Sequence, residues 1–466
     1  MCVFIGRERE LSEFDALYRQ DRFQLFVLYG RRRVGKTTFL REFCKDKPCI
    51  FYSAEQSNDK LNLEKFSARV FSHYGETDLE PFASWEKALL YIHRRQSAER
   101  LVLVFDEFPY LAAVSPSVLS VLQHLVDHTL KDGKLFIVLC GSYMGFMEKE
   151  VLSAKSPLFG RRTGQLHMKP FDYLTSAEFM PGFSNEEKLT LYGAAGGTAM
   201  YLGLVNRDKT LAENIEDMFL KPTGYLYEEP QLLLRQEVQE PGVYNAVIEA
   251  IAGGASRSGE IAAKAGEEAA KCLKYINTLC ELGILHKEIP FGEKSGSRKT
   301  IYALSDFMFR FWFRYVAKNR TLIETGAGGA VWRLRVQPDL SVYMGRVFET
   351  VCRDFMLREN AVGRLPFLFT DIGRWWGTDP RTRKQAEIDL VASDGKDYIF
   401  CECKWRNEKL DLGVLQNLKD KAALFGERSE NARCALFSKS GFTDAVKEAA
   451  RADERLMLFS MDDLMK

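Results

Sequence analysis

Residues suited to binding phosphate occur close to the start of this sequence. Two glycines enclose four residues, and a lysine and two threonines follow: Gly30, Arg31, Arg32, Arg33, Val34, Gly35, Lys36, Thr37 and Thr38. Glycines let backbone N–H groups turn toward phosphate oxygens, and the lysine adds positive charge at the β- and γ-phosphates. The Thr37 hydroxyl can bind Mg²⁺. The pattern predicts a site for a nucleoside triphosphate, with ATP and Mg²⁺ as the expected cofactors.

Two carboxylates and a hydroxyl could complete a hydrolytic site. Asp106 and Glu107 follow the apolar run 101–105, and Ser142 follows the apolar run 135–140. We expect Asp106 to hold the Mg²⁺ shell and Glu107 to polarise the attacking water. Ser142 is predicted to contact the γ-phosphate or that water. The structural alternatives are an acidic pair on a loop and a serine that only forms a turn.

A second set of chemical groups lies near the other end of the chain. Asp389 falls on one predicted strand, and Glu402 and Lys404 fall on the next, beyond the turn 393–396. Alternation along a strand places Glu402 and Lys404 on one face, where Asp389 can reach them. Asp389 and Glu402 could hold Mg²⁺ or Mn²⁺, and Lys404 could orient a water for phosphodiester hydrolysis. The alternative is a half-exposed hairpin with alternating charges.

Composition limits the classes of protein that can carry these groups. The chain has 466 residues, of which 46% are hydrophobic and 28% charged, and its formal net charge is +1. This length predicts two to four domains, and this charge gives no overall basic field. No secretory signal or membrane span is expected, and the ten cysteines show no zinc-binding spacing. We therefore expect a cytoplasmic protein with reduced thiols that does not bind a membrane.

Five segments are expected along the chain. Strands and helices alternate from residue 22 to about residue 166, which predicts a parallel sheet covered on both faces. Helices follow, then three helices with a two-stranded wing, an aromatic and glycine-rich stretch, and a final α/β unit. The predicted boundaries are 1–170 for the nucleotide-binding core, 171–238 for a helical lid, 239–306 for a winged helix, 307–341 for a linker and 342–466 for the last domain. No internal repeat is evident.

The first half of the chain resembles the prokaryotic AAA+-type ATPases of the archaeal ATPase family. The resemblance rests on residues 4–11, the phosphate loop, Asp106-Glu107, Gly141-Ser142, residues 156–163 and Gly196-Gly197. It implies a P-loop NTPase sheet with a helical lid, and it places Ile5, Gly6 and Arg7 close to the adenine. It also implies that Arg162, or its neighbour Arg161, stabilises charge on the transferred phosphoryl group.

The last domain resembles the PD-(D/E)xK nuclease superfamily, which has a restriction-endonuclease-like α/β fold. The resemblance rests on Asp389, Glu402 and Lys404, and it implies that a glutamate on an upstream helix joins them. Glu349 is the residue of this sequence in that position. The resemblance therefore implies a catalytic set of four residues.

Nucleic acid is the expected partner, DNA more than RNA, and a homo-oligomer is possible. Trp375 and Trp376 lie among cations in the segment 373–384, where they could stack on bases or pack inside the domain. The wing carries Lys294, Arg298 and Lys299. The sequence thus predicts an ATPase coupled to a metal-dependent nuclease. The competing hypothesis is a nucleotide-gated signalling or scaffold ATPase whose last domain only binds.

Overall fold

The described residues form two compact units. A computed structural model describes residues 4–77, 79–95, 100–294, 296–380 and 382–466. The first unit runs to Phe171 and includes Thr198–Met200, and the second comprises Asp172–Gly197 and Tyr201–Lys466. Arg381, in the segment predicted to bind nucleic acid, lies outside the described residues.

The first unit is built on a parallel five-stranded sheet. Its strands are β1 (Gln24–Tyr29), β2 (Cys49–Ser53), β3 (Val102–Asp106), β4 (Phe136–Gly141) and β5 (Gly164–His167), in the spatial order β2-β3-β4-β1-β5. The central strands β1, β3 and β4 are almost wholly buried, because helices cover both faces of the sheet. The α/β class with a parallel sheet is confirmed. Strand β5 was not predicted, since its four residues lack an apolar run.

Helices connect these strands and carry the apolar faces that cover the sheet. The helices are Glu8–Arg19, Lys36–Cys44, Asp59–His73, Trp85–Arg94, Phe108–Val114, Val118–His128 and Met144–Phe146, followed by a π-helical stretch at Met147–Leu152. Tyr29 pairs with Gly141, and Phe105 pairs with Leu139. The carboxyl ends of β1, β3 and β4 therefore meet at one edge of the sheet, where the predicted phosphate site needs them.

The second unit begins with helices where the sequence predicts a lid. They are Tyr173–Glu178, Asn185–Ala195, Ala199–Leu202 (whose first two residues belong to the first unit), Leu211–Phe219 and Glu229–Glu237. Three further helices follow, Pro241–Ala252, Ser258–Ala265 and Ala269–Glu281, and then an antiparallel hairpin of β6 (Leu285–Glu288) and β7 (Ile301–Leu304). We call residues 241–304 the helix–hairpin module.

The expected linker, 307–341, is almost entirely helical. Its elements are Phe307–Phe311, Trp312–Val316 (π), Ala317–Asn319 (3₁₀), Arg320–Glu324, Gly328–Val331, Trp332–Val336 (π) and Gln337–Asp339 (3₁₀). Trp312 and Phe311 are buried, and the Trp312 indole N–H donates to the carbonyl of Tyr227 at 2.6 Å. The aromatic run packs as core, whereas a linker would be polar and exposed.

Gly328 gives a direct test that this stretch is packed. An added Cβ at Gly328 would overlap the carbonyl oxygen of Leu220, whereas one at Gly329 would lie 3.4 Å from the flexible Glu216 carboxylate. We expect Gly328→Ala to destabilise the protein by about 2 kcal/mol, because the backbone of Leu220 cannot move aside cheaply. Gly329→Ala is the matched control, and its gain in helix propensity should keep it neutral or slightly stabilising. Thermal unfolding of both variants measures the difference, and equal melting temperatures would contradict tight packing.

The C-terminal part of the second unit is a helix followed by a mixed five-stranded sheet. The elements are the helix Leu340–Ala361, β8 (Asp371–Thr378), β9 (Gln385–Ser393), β10 (Tyr398–Lys404), the helix Leu412–Ala422, a 3₁₀ stretch Ala423–Ser429, β11 (Arg433–Ser438), the helix Asp444–Ala452, β12 (Leu456–Ser460) and the helix Met461–Leu464. The order is β12-β11-β10-β9-β8, antiparallel from β8 to β10 and parallel from β10 to β12.

The hairpin of the helix–hairpin module docks on this sheet. The Phe291 N–H donates to the carbonyl of Arg374 at 2.8 Å, next to a bulge in β8, and the Phe291 ring packs against Tyr398. Glu288 at the end of β6 forms an ion pair with Arg374 at 3.4 Å. The end of β6 and the turn that follows it therefore contact the C-terminal sheet.

Asp354, on the helix Leu340–Ala361, makes stability depend on pH. Burial raises its pKa from 3.8 to about 6, Arg353 opposes the rise and the Asp172 charge adds to it. A carboxyl with a raised folded-state pKa costs stability where it must ionise, so the cost is full above about pH 6 and vanishes below about pH 4. We expect Asp354→Asn to stabilise the second unit by about 2 kcal/mol at pH 7.5 and by almost nothing at pH 4. Thermal unfolding at both pH values measures this, with the exposed Asp208→Asn as control. A gain at pH 4 equal to that at pH 7.5 would contradict the assignment.

In the described parts of the chain, no single helix is long and apolar enough to cross a membrane. The helices Phe108–Val114 and Val118–His128 reach that length and apolarity only together, and the pair is bent by 105°.

Candidate functional site

The phosphate loop connects β1 to the helix that begins at Lys36. Gly35, with φ of 98°, precedes the helix in a conformation that glycine adopts without strain. A Cβ at Gly30 would overlap the carbonyl oxygen of Met168. The Lys36 ammonium donates to the carbonyls of Gly30 and Arg31 at 2.7 and 2.8 Å, so it lies inside the loop. The loop has the cradle shape that a phosphate chain requires.

The other residues of the loop have structural contacts of their own. Val34 is buried in the apolar core, and a guanidinium N–H of Arg32 donates to the Tyr110 hydroxyl at 2.5 Å. The carbonyl of Arg33 accepts from the N–H of Met200 at 3.3 Å, so the segment Thr198–Met200 contacts the loop. Thr38 lies in the first turn of the helix that Lys36 begins. Sequence reasoning missed the contact from residue 200, because nothing in the loop's own sequence indicates it.

Two carboxylates face this loop from the end of β3. The Thr37 hydroxyl donates to Asp106 Oδ2 at 2.9 Å, which brings together the two residues predicted to hold Mg²⁺. The Ser142 hydroxyl donates to Glu107 Oε2 at 2.7 Å. Glu107 has φ of 51°, a strained conformation for a residue other than glycine that is found mainly at functional sites. An oxygen pair for a hard cation and an oriented carboxylate therefore stand beside the phosphate cradle.

The two candidate arginines have different environments. Arg161 forms a two-pronged ion pair with Asp127, with both distances 2.8 Å, and also donates to two backbone carbonyls. Arg162 donates to Gln165 and to the carbonyl of Leu152. Burial raises the pKa of Tyr29 at the end of β1, and the charge of Arg162 partly opposes this rise. The guanidinium of Arg161 is thus held by structural contacts. Of the two arginines, Arg162 is the one whose charge acts on Tyr29 at the end of β1.

The segment predicted to lie near the adenine starts the first helix. Arg7 has φ of 70°, its guanidinium pairs with Glu10 at 2.9 Å, donates to the Lys169 carbonyl and stacks on the Phe171 ring at 4.2 Å. Ile5 and Gly6 precede it, and Gly6 also has a positive φ. These contacts hold the segment in place beside residues 169–171.

The second set of predicted residues converges at the β9–β10 pair. The Lys404 ammonium lies 2.6 Å from Glu402 Oε1 and 3.5 Å from Asp389 Oδ2. The backbone N–H of Cys403 donates to the same Asp389 oxygen at 2.8 Å. Both carboxylates are buried. Burial lowers the pKa of Lys404, but the charges of Asp389 and Glu402 outweigh it, so the net pKa is raised.

Glu349 faces the same region from the helix Leu340–Ala361. Its carboxylate pairs with Arg346 at 2.7 Å. Burial raises the pKa of Glu349, Arg346 opposes this rise, and the Asp389 charge adds to it. The influence of Asp389 shows that Glu349 lies within electrostatic range of the β9–β10 carboxylates.

Sequence reasoning missed several charged neighbours of this set. Lys421, on the helix Leu412–Ala422, pairs with Glu402 Oε2 at 3.1 Å. Arg346 also lies 3.8 Å from Glu387, which binds Arg374. A lysine near the end of a helix carries no special sequence signal, so Lys421 could not have been selected. Over the described ranges, no group of three or more His, Cys, Asp or Glu side chains is arranged to hold a metal ion.

The two adjacent tryptophans lie on β8. Trp375 packs against Phe425 in the apolar core of the C-terminal sheet, with ring centroids 5.1 Å apart. Trp376 has the guanidinium of Arg374 at 5.5 Å from its ring centroid. Neighbouring residues of a strand point to opposite faces, so the two rings lie on different faces of β8, and both are half-buried.

The geometry of the first unit defines a P-loop nucleotide-hydrolysing domain, and comparison with known proteins identifies its family. Residues 4–205 match a family model described as an ATPase domain predominantly from Archaea, and residues 312–421 match one described as "Archaea bacterial proteins of unknown function". The uncharacterized protein MJECL04 of Methanocaldococcus jannaschii is 31% identical over 463 residues, which cover 95% of this chain and 100% of that protein. The chain belongs to the family of this archaeal relative. It is an ATP-binding ATPase with an archaeal-type ATPase domain, as the sequence predicted.

Shorter relatives and solved structures are similar to parts of the chain. The uncharacterized ATP-binding protein MJ0423 of the same organism is 38% identical over 47 residues, 10% of this chain and 80% of that protein. Cdc6p from Pyrobaculum aerophilum is 14% identical, with a TM-score of 0.33 over 70% of this chain and 97% of that one. A variant of RuvB from Thermotoga maritima is 19% identical, with a TM-score of 0.33 over 64% and 92% of the two chains.

Proposed function

We propose that this ATPase controls a metal-dependent phosphodiesterase in its C-terminal domain, which acts on nucleic acid, and on DNA more than on RNA. The observation that carries the proposal is the position of Lys404, whose ammonium lies between Asp389 and Glu402. Two buried carboxylate oxygens that share one cation form a pair suited to a hard divalent ion. Asp389 and Glu402 would hold Mg²⁺ or Mn²⁺, which would stabilise charge on the phosphodiester, while Lys404 orients the attacking water.

The ATPase half of the proposal assigns a role to each residue of the first unit. Lys36 and the loop N–H groups bind the phosphates, Thr37 and Asp106 hold Mg²⁺, and Glu107, oriented by Ser142, polarises the water. Arg162 is the proposed transition-state cation. The hairpin docked on β8 is compatible with a winged helix that transmits the nucleotide state to the C-terminal sheet, with the PD-(D/E)xK-like fold as the effector.

One observation favours the competing function, a nucleotide-gated binding switch without cleavage. Both oxygens of Glu402 are engaged by lysines, Oε1 by Lys404 and Oε2 by Lys421. A carboxylate that two ammonium groups neutralise attracts a divalent ion less strongly. In this alternative the C-terminal domain binds nucleic acid or a protein and releases it according to the bound nucleotide.

Cleavage assays separate the two functions. Labelled single- and double-stranded DNA and RNA are incubated with the full chain, with Mg²⁺ or Mn²⁺, and with or without ATP. Asp389→Asn is the test variant, because its side-chain oxygen can still accept from the Cys403 N–H and preserve the fold. Cleavage that disappears in Asp389→Asn supports the nuclease, and its loss in Lys36→Ala supports control by ATP. Absence of cleavage in a preparation that hydrolyses ATP would favour the switch.

A further inference from the structure

Two helical segments of the second unit share the same irregularity. A π-helical stretch, Trp312–Val316, leads into a 3₁₀ turn, Ala317–Asn319, and the stretch Trp332–Val336 leads into the turn Gln337–Asp339. Each stretch begins with tryptophan and ends with valine. π-Helical stretches are rare and occur often at functional sites. A structural repeat is therefore present that the sequence alone did not reveal.

A cavity of about 520 Å³ lies where these two segments meet. Residues of both segments line it: Arg314, Tyr315, Lys318, Asn319, Arg335 and Asp339. Its volume is within the range of sites that bind small molecules or parts of larger ones. The lining contains three cationic side chains and one carboxylate. This excess of positive charge indicates that the cavity fits an anionic ligand.

The carboxylate of the cavity is already neutralised. Arg314 donates to Asp339 through Nε at 2.5 Å and Nη2 at 2.7 Å, and the Tyr315 hydroxyl donates to it at 2.7 Å. The hydrogen bond from Arg314 lowers the pKa of Asp339, so this pair stays ionised and internally balanced. The same bonds fix the guanidinium plane of Arg314 at the cavity wall.

The other two cations are available to a ligand. Lys318 and Arg335 are exposed, and within the described ranges neither forms a hydrogen bond or ion pair with another side chain. Lys318 is within electrostatic range of Asp339, but that carboxylate is already hydrogen-bonded to Arg314, so the four charged residues of the lining leave a net excess of two positive charges. Arginine and lysine converging on one cavity are the groups that bind phosphate.

We propose that this cavity binds a phosphate group, separately from the phosphate loop and from the Asp389 set. Arg335 and Lys318 contact the phosphate oxygens, and the fixed Arg314 completes the positive wall. The phosphate can belong to a nucleic-acid backbone or to a free phosphate compound, and the chemistry of recognition is the same. The inference does not depend on cleavage, because binding alone tests it.

Binding of two probes to the full chain tests the site. The probes are a fluorescent single-stranded DNA of about 20 nucleotides, longer than a typical single-domain footprint, and inorganic pyrophosphate. Pyrophosphate is titrated by calorimetry with every protein in the Lys36→Ala background, which suppresses binding at the phosphate loop. The test variant is Lys318→Ala/Arg335→Ala. The charge-matched control is Lys396→Ala/Arg451→Ala, which removes two exposed cations elsewhere in the second unit.

We expect the test variant to bind at least one probe about tenfold or more weakly, with an unchanged melting temperature. For the single-stranded oligonucleotide the magnitude of the slope of log affinity against log salt should fall by about 1.4, or about 0.7 for each lost phosphate contact. Loss of oligonucleotide binding assigns the site to a nucleic-acid backbone, and loss of pyrophosphate binding alone assigns it to a free phosphate compound. Equal weakening in the test and control variants, or no binding of either probe by the unsubstituted cavity, overturns the proposal.

Discussion

Glu107→Gln is expected to slow ATP hydrolysis about 100-fold or more and to leave ATP binding intact. The Glu107 carboxylate is oriented by the Ser142 hydroxyl at 2.7 Å and by its own strained backbone. Glutamine keeps the size and the hydrogen bond but cannot polarise water as a carboxylate does, so the loss falls on the chemical step. Phosphate release measures hydrolysis, and a fluorescent ATP analogue measures binding.

Two further variants help to interpret the hydrolysis rate of Glu107→Gln: Ser142→Ala and the control Asp127→Ala. Ser142→Ala leaves the carboxylate charge in place but removes its orientation, so we expect a smaller loss of about 10-fold. Asp127→Ala breaks the ion pair with Arg161 and should lower stability without a specific effect on hydrolysis. If Glu107→Gln hydrolysed ATP at the normal rate, another group would have to activate the water.

Lys404→Met and Lys421→Met are expected to change cleavage in opposite directions. Both lysines contact Glu402, at 2.6 and 3.1 Å, but only Lys404 also reaches Asp389. On the proposed mechanism, loss of Lys404 removes the group that orients the water, and cleavage should fall by about 100-fold or more. Loss of Lys421 removes only a cation that competes with the metal for Glu402, so a lower concentration of Mg²⁺ should suffice.

Titration of cleavage with Mg²⁺ measures both effects. The control is Lys419→Met, which removes a charge from the same helix without a contact to Glu402. Equal loss of cleavage in Lys404→Met and Lys421→Met would indicate that the two lysines act as one structural cluster. That outcome would contradict the separate roles proposed for Lys404 and Lys421.

The sequence was most informative where a motif and its secondary structure coincide. The strands that hold the phosphate loop and Asp106 are buried on both faces, so their apolar runs could be read directly, within one residue at each end. Asp389, Glu402 and Lys404 come together because a short turn fixes the register of β9 and β10. Sequence patterns of this kind therefore predict single strands and the contacts between two neighbouring strands.

Contacts between distant segments could not be predicted in this way. Lys421 meets Glu402 only because a helix packs on the sheet, and Met200 meets Arg33 across a long stretch of sequence. The stretch 307–341 was predicted as a linker, whereas it is mostly helical and Gly328 packs closely against the backbone of Leu220. The basic cavity was not predicted, because it forms only where two segments of this stretch meet.

The hairpin docked on β8 also bears on solubility. Strand β8 is the last strand of its sheet, and an uncovered last strand offers its backbone to other chains. The bulge beside Arg374 and the hydrogen bond from Phe291 interrupt that template. A fragment that kept the sheet but lost residues 285–304 would display a longer pairing edge with Trp375 and Trp376 on it. The helix–hairpin module thus also protects β8 from pairing with other chains. We therefore expect the C-terminal domain to be more soluble when it is produced together with this module.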